Sequence, residues 1–152
     1  VSPGTETLHL TLHFLGDQPQ ELLAEIGRLM LSIGRKTRAF QIDLEGLGFF
    51  PNRRRPRILW LGVQPQQGLI QLHQQLATAL EGLGLTVDQR SFQPHLTIGR
   101  FRQPPRNIGQ LCPFLSQRCG TLPVDRLILY HSTLTRRGAI HTPQQTTPLT
   151  GA

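Results

Sequence analysis

The sequence predicts a single domain in which two similar halves each combine strands with a helix. Three observations carry this prediction: segments in which apolar residues alternate, segments in which they recur at helical spacing, and a His-x-Thr motif that occurs once in each half. In both halves the order is a strand holding the motif, a helix, and a hairpin with an arginine-bearing turn. We therefore expect two lobes that face one another across a cleft, each presenting one motif strand.

The first half begins with an alternating segment, Thr7–Leu15, which predicts a half-buried strand. Helical spacing of apolar residues predicts a helix over residues 19–33, with Asp17 as its cap. Phe40–Leu44 and Ile58–Val63 then predict two strands. Because a polar, proline-bounded loop joins them, we expect these strands to pair as a long hairpin.

A second helix, expected over Leu69–Leu83, leads into the second half. The elements predicted beyond it, in chain order, are a short strand at Thr86–Val87, a strand at His95–Phe101, a weak helix near Ile108–Gln117, and strands at Leu122–Leu134 and Ala139–Leu149.

Composition favours a folded protein that binds a polyanion. The 152 residues are 38% hydrophobic and carry a formal net charge of +7. All sixteen basic residues but one are arginines, whose planar guanidinium suits phosphate. The charge is uneven, because residues 1–85 hold eight bases and seven acids whereas residues 86–152 hold eight bases and two acids. An arginine-rich composition can also reflect codon bias, so charge alone does not decide the function.

Other features bear on the setting in which the protein works. The longest apolar stretches are too short to span a bilayer, so no membrane partner is expected. Cys112 and Cys119 have no metal-type spacing, and no signal peptide is in view. We expect a reduced cytoplasmic setting and a monomer.

Two short motifs carry the chemistry, His9-Leu10-Thr11-Leu12 and His95-Leu96-Thr97-Ile98. On a strand the side chains at i and i+2 project to one face, so each imidazole has a hydroxyl beside it. A neutral histidine can take a proton from water while a protonated histidine gives one to a leaving oxygen. A single copy would mean little, but two copies in matching contexts predict an acid/base pair for phosphoryl chemistry.

These residues resemble a known family. His9 to Gly16 and Pro94 to Arg100 are similar to the paired HxTL signatures of the 2H phosphoesterase superfamily, and most of all to its RNA 2',3'-cyclic phosphodiesterases, also called 2'-5' RNA ligases. The likeness extends through residues 68–72 and the closing His141-Thr142-Pro143. The resemblance implies a bilobal α+β fold, in which two antiparallel sheets surround a central groove, helices lie outside, and a pseudo-two-fold axis relates the lobes.

The resemblance also implies a role for each motif residue. His9 would donate a proton to the departing 3' oxygen, and His95 would accept a proton from the attacking water, so that a 2',3'-cyclic phosphate opens to a 2'-phosphate. Thr11 and Thr97 would bind the phosphate. No metal and no cofactor are implied, and weak 2'-5' ligation is an expected side activity. The motifs are nearly symmetric, so the residues themselves leave the direction of the acid/base pair open.

One departure from the family concerns the start of the chain. Family members usually carry a short hydrophobic strand and a helix before the first motif, whereas only Val1–Glu6 precede it here. We interpret residues 1–152 as a single domain of a truncated or incompletely observed chain, without those two elements.

Basic and aromatic residues near the motifs are candidates for RNA binding. Arg100 follows the second motif, but on a regular strand it would face away from His95. Arg54 and Arg55 belong to an arginine-rich loop that has a counterpart in the last predicted hairpin. Such clusters are usually only solvated, but two at equivalent places suit a groove for a polyanion. Phe92, just before the second motif, is the candidate for base stacking.

The remaining histidines raise the question of a metal site. His13 shares the predicted face of His9, but four residues along a strand separate them by roughly 13 Å, whereas the ligands of one zinc each lie about 2 Å from it. The strand prediction therefore excludes that site, and we expect His13 at the groove edge or the surface. The other histidines have no partner visible in the sequence and are expected to be structural: His73, His131 and His141.

Three functions stay open at this point. The leading one is hydrolysis of a 2',3'-cyclic phosphodiester in RNA or a nucleotide. The second is an RNase-like transesterase that cleaves internal linkages with the same histidines, and the third is an RNA-binding module. Retention of both complete motifs argues against the third.

Overall fold

The computed structural model describes residues 9–50, 54–55, 57–88, 92–100 and 118–151. The helix predicted near Ile108–Gln117 lies outside these ranges. Within them the chain forms an α+β fold, as the sequence predicts. Its elements are α1 (Gln20–Lys36), β1 (Phe40–Phe50), β2 (Ile58–Gln64), α2 (Gln67–Gly82), β3 (His95–Arg100), β4 (Arg118–Val124), β5 (Arg126–Thr135) and β6 (Gly138–Pro148).

The strands form two sheets. A four-stranded sheet has the order β3-β2-β1-β4, and a two-stranded sheet pairs β5 with β6. The predicted hairpin of β1 and β2 is confirmed: the strands are antiparallel, with Phe50 opposite Ile58 at the loop. The β5–β6 hairpin is confirmed as well, with Thr135 opposite Gly138 at its turn.

The chain divides into two compact units. The first takes residues 1–14, 41–73 and 89–122, and the second takes residues 15–40, 74–88 and 123–152. In the first unit, buried aliphatic residues from β1, β2, β3 and the first turns of α2 form the core: Ile42, Leu61, Val63, Leu69, Leu72 and Leu96. In the second unit, α1 packs on β6, and the core includes Ile26, Met30, Leu127 and Leu149. Of the helices in the described ranges, none is long and apolar enough to cross a membrane.

The start of α1 differs from the prediction. Pro19 is the N-cap and no side chain caps the helix, so the capping role expected of Asp17 is wrong. Instead the carbonyl of Pro19 accepts hydrogen bonds from the amides of Leu22 (3.0 Å) and Leu23 (3.2 Å). Proline has a fixed φ near −65° and no N–H to satisfy, so it suits a helix start without a side-chain cap.

Three predicted strands need correction. Residues 9–15, the described part of the predicted Thr7–Leu15 strand, have no strand structure, and neither do Thr86 and Val87. The segment predicted as one strand over Leu122–Leu134 is interrupted at Asp125. Alternation shows which face of a strand would be buried, but a strand also requires a neighbour with which its backbone pairs. That neighbour is a tertiary feature.

Gly34 lies where α1 packs on β6, and a substitution there tests how closely the helix and the strand approach each other. A Cβ at this position would lie 2.6 Å from the carbonyl oxygen of Pro148 and 2.8 Å from Cγ2 of the buried Thr147. Gly34→Ala should therefore cost about 1–3 kcal/mol in overpacking, against a gain of up to about 1 kcal/mol in helix propensity. Thermal unfolding should show a lower Tm. Gly82→Ala is the matched control, because nothing lies within 4 Å of its Cβ position. Equal Tm values for the two variants would contradict this close packing.

Candidate active site

The second motif lies on β3, at the edge of the four-stranded sheet. His95 is opposite Gly62 and Thr97 is opposite Trp60, while Leu96 pairs with Leu61 between them. Leu96 and Leu61 are buried, whereas His95 and Thr97 are half-buried. Alternation along the strand thus places the imidazole and the hydroxyl on the face opposite the core, as the motif predicts.

Beyond Thr97 the strand is irregular. The register shifts between Leu59 and Trp60, so that Gly99 is opposite Leu59 and Arg100 is opposite Ile58. The expectation that Arg100 faces away from His95 assumed a regular strand, whereas this strand is irregular. The side chain of Arg100 lies outside the described residues, so its direction stays a prediction.

A hydrogen bond orients the ring of His95. Its Nδ1 lies 2.8 Å from the carbonyl oxygen of Gln93, two residues earlier. A carbonyl oxygen only accepts, so Nδ1 carries the proton of this bond. In the neutral imidazole the other nitrogen, Nε2, then holds the lone pair and is the atom that can accept a proton.

Two aromatic rings surround His95. The centroid of Phe50 lies 5.2 Å from that of His95 at an interplanar angle of 72°, and the centroid of Trp60 lies 5.9 Å away at 60°. Phe50 and Trp60 contact each other at 5.3 Å. All three line a pocket of about 430 Å³, together with Gly62, Val63, Gln64, Gln66, Gln93 and Pro94. This volume suits a small ligand such as a nucleotide.

Trp60 is held against the neighbouring strand. A Cβ at Gly48, the residue opposite Trp60 on β1, would overlap the six-membered ring of the indole. Glycine at this position therefore leaves the space in which the indole lies. Among the described residues no hydrogen-bond partner is found for the buried Nε1 of Trp60. A buried donor without a partner costs about 1–3 kcal/mol, which a water or ligand oxygen would relieve.

The first motif lies in a segment without regular secondary structure. His9 is half-buried and Thr11 is exposed. This segment belongs to the same compact unit as the second motif. The prediction that His9 and Thr11 share one face of a strand is not supported, because residues 9–15 form no strand.

His13 is half-buried, and its ring contacts α2. Its ring stacks on that of His73 in α2, with centroids 4.0 Å apart and planes 16° apart. Its Nε2 lies 3.0 Å from the carbonyl oxygen of His73. His73 stacks in turn on Phe92, with centroids 4.2 Å apart and planes 3° apart. His73 therefore covers one face of the Phe92 ring. Only the other face is left for the predicted stacking on a base.

Two arginines of the β1–β2 loop, Arg54 and Arg55, are exposed where we expect contact with a polyanion.

In the part of the chain that the structure describes, no three histidine, cysteine, aspartate or glutamate side chains lie close enough to hold a metal ion. Metal independence stays a prediction.

Sequence reasoning missed several residues around His95 and His13. The motif pattern singles out neither the carbonyl of Gln93 nor the stacking role of His73, and it leaves Phe50 and Trp60 among several aromatic residues that suit either a core or a stacking surface. The only local signal is the proline at position 94, which restricts Gln93 to an extended backbone conformation. The other contacts join residues far apart in the chain.

Comparison with known proteins gives consistent matches. Residues 4–135 match the model of the 2'-5' RNA ligase superfamily. RNA 2',3'-cyclic phosphodiesterase from Thermotoga maritima is 33% identical over 136 residues, which cover 90% of this chain and 72% of the relative. The protein of the same name from Aeropyrum pernix is 34% identical over 141 residues, which cover 90% and 78%.

Solved structures agree with these matches. A Thermus thermophilus protein superposes with a TM-score of 0.80 and 28% identity, over 95% of this chain and 79% of that protein. E. coli LigT complexed with 3'-AMP superposes with a TM-score of 0.74 and 30% identity, over 95% and 78%.

Proposed function

Because this chain belongs to the 2'-5' RNA ligase superfamily, we propose that it is an RNA 2',3'-cyclic phosphodiesterase that opens the cyclic phosphate to a 2'-phosphate. The observation that carries the proposal is the position and hydrogen bonding of His95. Its side chain lines a pocket large enough for a nucleotide, and its Nδ1–H donates to the carbonyl oxygen of Gln93. Such a histidine is prepared to accept a proton at Nε2. Two curated relatives that align with 90% of the chain bear the name RNA 2',3'-cyclic phosphodiesterase.

The proposed reaction uses two histidines. His95 takes a proton from water at Nε2 as the water oxygen bonds to phosphorus, and His9 gives a proton to the 3' oxygen as its bond to phosphorus breaks. The product carries a 2'-phosphate and a free 3'-hydroxyl. Solvent exchange then returns both histidines to their starting protonation states.

The proposed substrate contacts follow from the positions of the motif residues. Thr97 lies two residues from His95 on the same strand face, and so would bond a non-bridging oxygen of the phosphate. We assign the same role to Thr11 in the first motif. We also assign phosphate or RNA binding to Arg100, because it is a guanidinium just after the second motif. The pocket lined by Phe50 and Trp60 would take the nucleoside next to the cyclic phosphate.

The setting is part of the proposal. We assign an RNA or nucleotide with a 2',3'-cyclic phosphate as the substrate, residues 1–152 as one domain, and a monomer in the cytoplasm. The high positive charge of the chain supports a polyanionic partner.

Product analysis tests the proposal. An RNA ending in a 2',3'-cyclic phosphate should yield a 2'-phosphate end, at the same rate with and without excess EDTA. Shortened RNA carrying new cyclic ends would instead identify a transesterase. Binding without any product would identify an RNA-binding module, and loss of rate in EDTA that zinc or magnesium restores would contradict the two-histidine reaction.

The arginines of the β1–β2 loop should serve RNA rather than the reacting phosphorus. Arg54→Ala with Arg55→Ala should weaken oligonucleotide binding and reduce its salt slope by about 0.7 for each phosphate that is no longer neutralised, while leaving hydrolysis of a cyclic mononucleotide nearly intact. Binding titrations at several salt concentrations measure this effect.

The matched control removes two exposed arginines of α1, by Arg28→Ala with Arg35→Ala. It lowers the net charge equally, so it should change binding less than the loop variant. Equal losses on the oligonucleotide and the mononucleotide would place Arg54 and Arg55 in the active site instead.

A further inference from the structure

Three rings form a column in the first unit: His13, His73 and Phe92. The centroid distances are 4.0 Å from His13 to His73 and 4.2 Å from His73 to Phe92, with interplanar angles of 16° and 3°. Two rings nearly parallel to His73 at such distances would overlap if both lay on one of its faces. His73 is therefore sandwiched, with His13 on one face and Phe92 on the other.

The column joins three segments that are remote in the sequence. His13 comes four residues after His9, in the segment of the first motif. His73 lies on α2, and Phe92 lies in the segment that enters β3. A hydrogen bond adds to the stacking, because Nε2–H of His13 donates to the carbonyl oxygen of His73 at 3.0 Å.

The same column is connected to His95. Directly after Phe92, the carbonyl oxygen of Gln93 accepts the Nδ1–H bond of His95 at 2.8 Å. The chain from Phe92 to His95 is thus tied at one end by ring stacking and at the other by this bond. A shift of Phe92 would move the carbonyl that orients the imidazole of His95.

The first-motif segment depends on such contacts more than a strand would. In the part of the chain that the structure describes, residues 9–15 have no strand structure, so regular strand pairing does not set their position. Stacking of His13 on His73 supplies a fixed point within four residues of His9. Proton transfer requires an approach accurate to a fraction of an ångström, and an error of about 1 Å can cost about 100-fold in rate.

We infer that His13, His73 and Phe92 are positioning residues, whose stacked rings hold both histidine motifs at the spacing that the reaction needs. This inference rests on the proposed function. It assigns these residues no contact with the substrate, and it makes Phe92 a support of the site rather than a platform for a base.

Replacing the middle ring tests the inference. His73→Ala should lower kcat on a cyclic mononucleotide by about 10-fold to 100-fold, with KM within about twofold, because the groups that bind the substrate remain while their alignment is disturbed. His73→Phe keeps a flat ring between His13 and Phe92 and should recover most of kcat. His131→Ala, which removes an exposed histidine of the β5–β6 hairpin, should have no effect.

A second variant and a second measurement distinguish a loss of alignment from misfolding of the protein. Phe92→Leu keeps an apolar side chain but removes the stacking, and it should lower kcat in the same way while Tm changes little. In both His73→Ala and Phe92→Leu the nitrogen resonances of the His95 imidazole should move from their wild-type positions in NMR spectra, which requires no enzymatic activity.

The outcomes separate the inference from the proposed function. An inactive wild-type protein contradicts the function, whereas the NMR shifts still test the column. An active wild type with unchanged kcat and unchanged His95 resonances in both variants overturns the inference. So does a loss of kcat in His73→Ala that His73→Phe does not recover, because the imidazole of His73 would then act in another way.

Discussion

His95→Ala is expected to lower turnover of a 2',3'-cyclic phosphate by about 10² to 10⁴, the usual contribution of a general acid or base. The physical reason is the orientation of the ring, whose Nδ1–H is bonded to the carbonyl of Gln93, so that Nε2 is left to accept a proton. Binding should survive, because the phosphate contacts assigned to Thr11 and Thr97 do not involve this nitrogen. Steady-state kinetics on a cyclic mononucleotide, with Tm as a check on folding, measures the effect.

The pH profile sharpens this result. If one histidine must be neutral and the other protonated, the wild-type rate peaks at intermediate pH and falls on both sides. Without the base, the limb that falls toward low pH should disappear in His95→Ala. His131→Ala is the control, since it removes an exposed histidine from β5. Near-normal turnover of His95→Ala on every cyclic substrate tried would remove His95 from the chemistry.

His9→Ala should cause a loss of similar size, about 10² to 10⁴, and should remove the opposite limb of the profile. Proton removal and proton delivery belong to one displacement, so the double variant should be far less than multiplicatively worse than either single variant. Multiplicative losses would mean that the two histidines act in separate steps.

A substrate with a good leaving group assigns the direction of the pair. A p-nitrophenyl phosphodiester releases an oxygen that needs little protonation, so loss of the general acid should matter less for it. His9→Ala should then retain a larger fraction of wild-type activity on this ester than on a ribonucleotide cyclic phosphate, whereas His95→Ala should lose both equally. The reverse pattern would exchange the two roles.

The local periodicity of apolar residues was sufficient to predict most helices and strands of the fold. The helical spacing of Ile26, Met30 and Ile33 predicts α1, and all three are buried in the second unit. Alternation predicts β1 and β2, which pair as expected. These signals are carried by residues close in sequence, because a helix and a hairpin bury one face through neighbours only a few positions apart.

The same reasoning was wrong where a segment needed a distant partner. Apolar residues alternate along residues 9–15 as in a strand, yet these residues form no strand in the structure. The regular pairing assumed for β3 is also absent, because its register against β2 shifts between Leu59 and Trp60. Alternation of apolar residues does not indicate which segment pairs with a strand. It also does not indicate where a β-bulge inserts an extra residue into the pairing.

The sequence by itself determined which side chains the proposed chemistry uses: two imidazoles, each two residues from a hydroxyl, in a chain rich in arginine. Those are properties of side-chain type and short spacing. Only the tertiary structure decided which nitrogen of His95 can accept a proton, that Phe50 and Trp60 line the pocket beside it, and that His73 lies between His13 and Phe92. The first feature depends on one hydrogen bond to a backbone carbonyl two residues away, and the stacking of His73 depends on contacts across 19 and 60 positions. The long-range contacts form only when packing brings distant segments together, and no local pattern of residues encodes them.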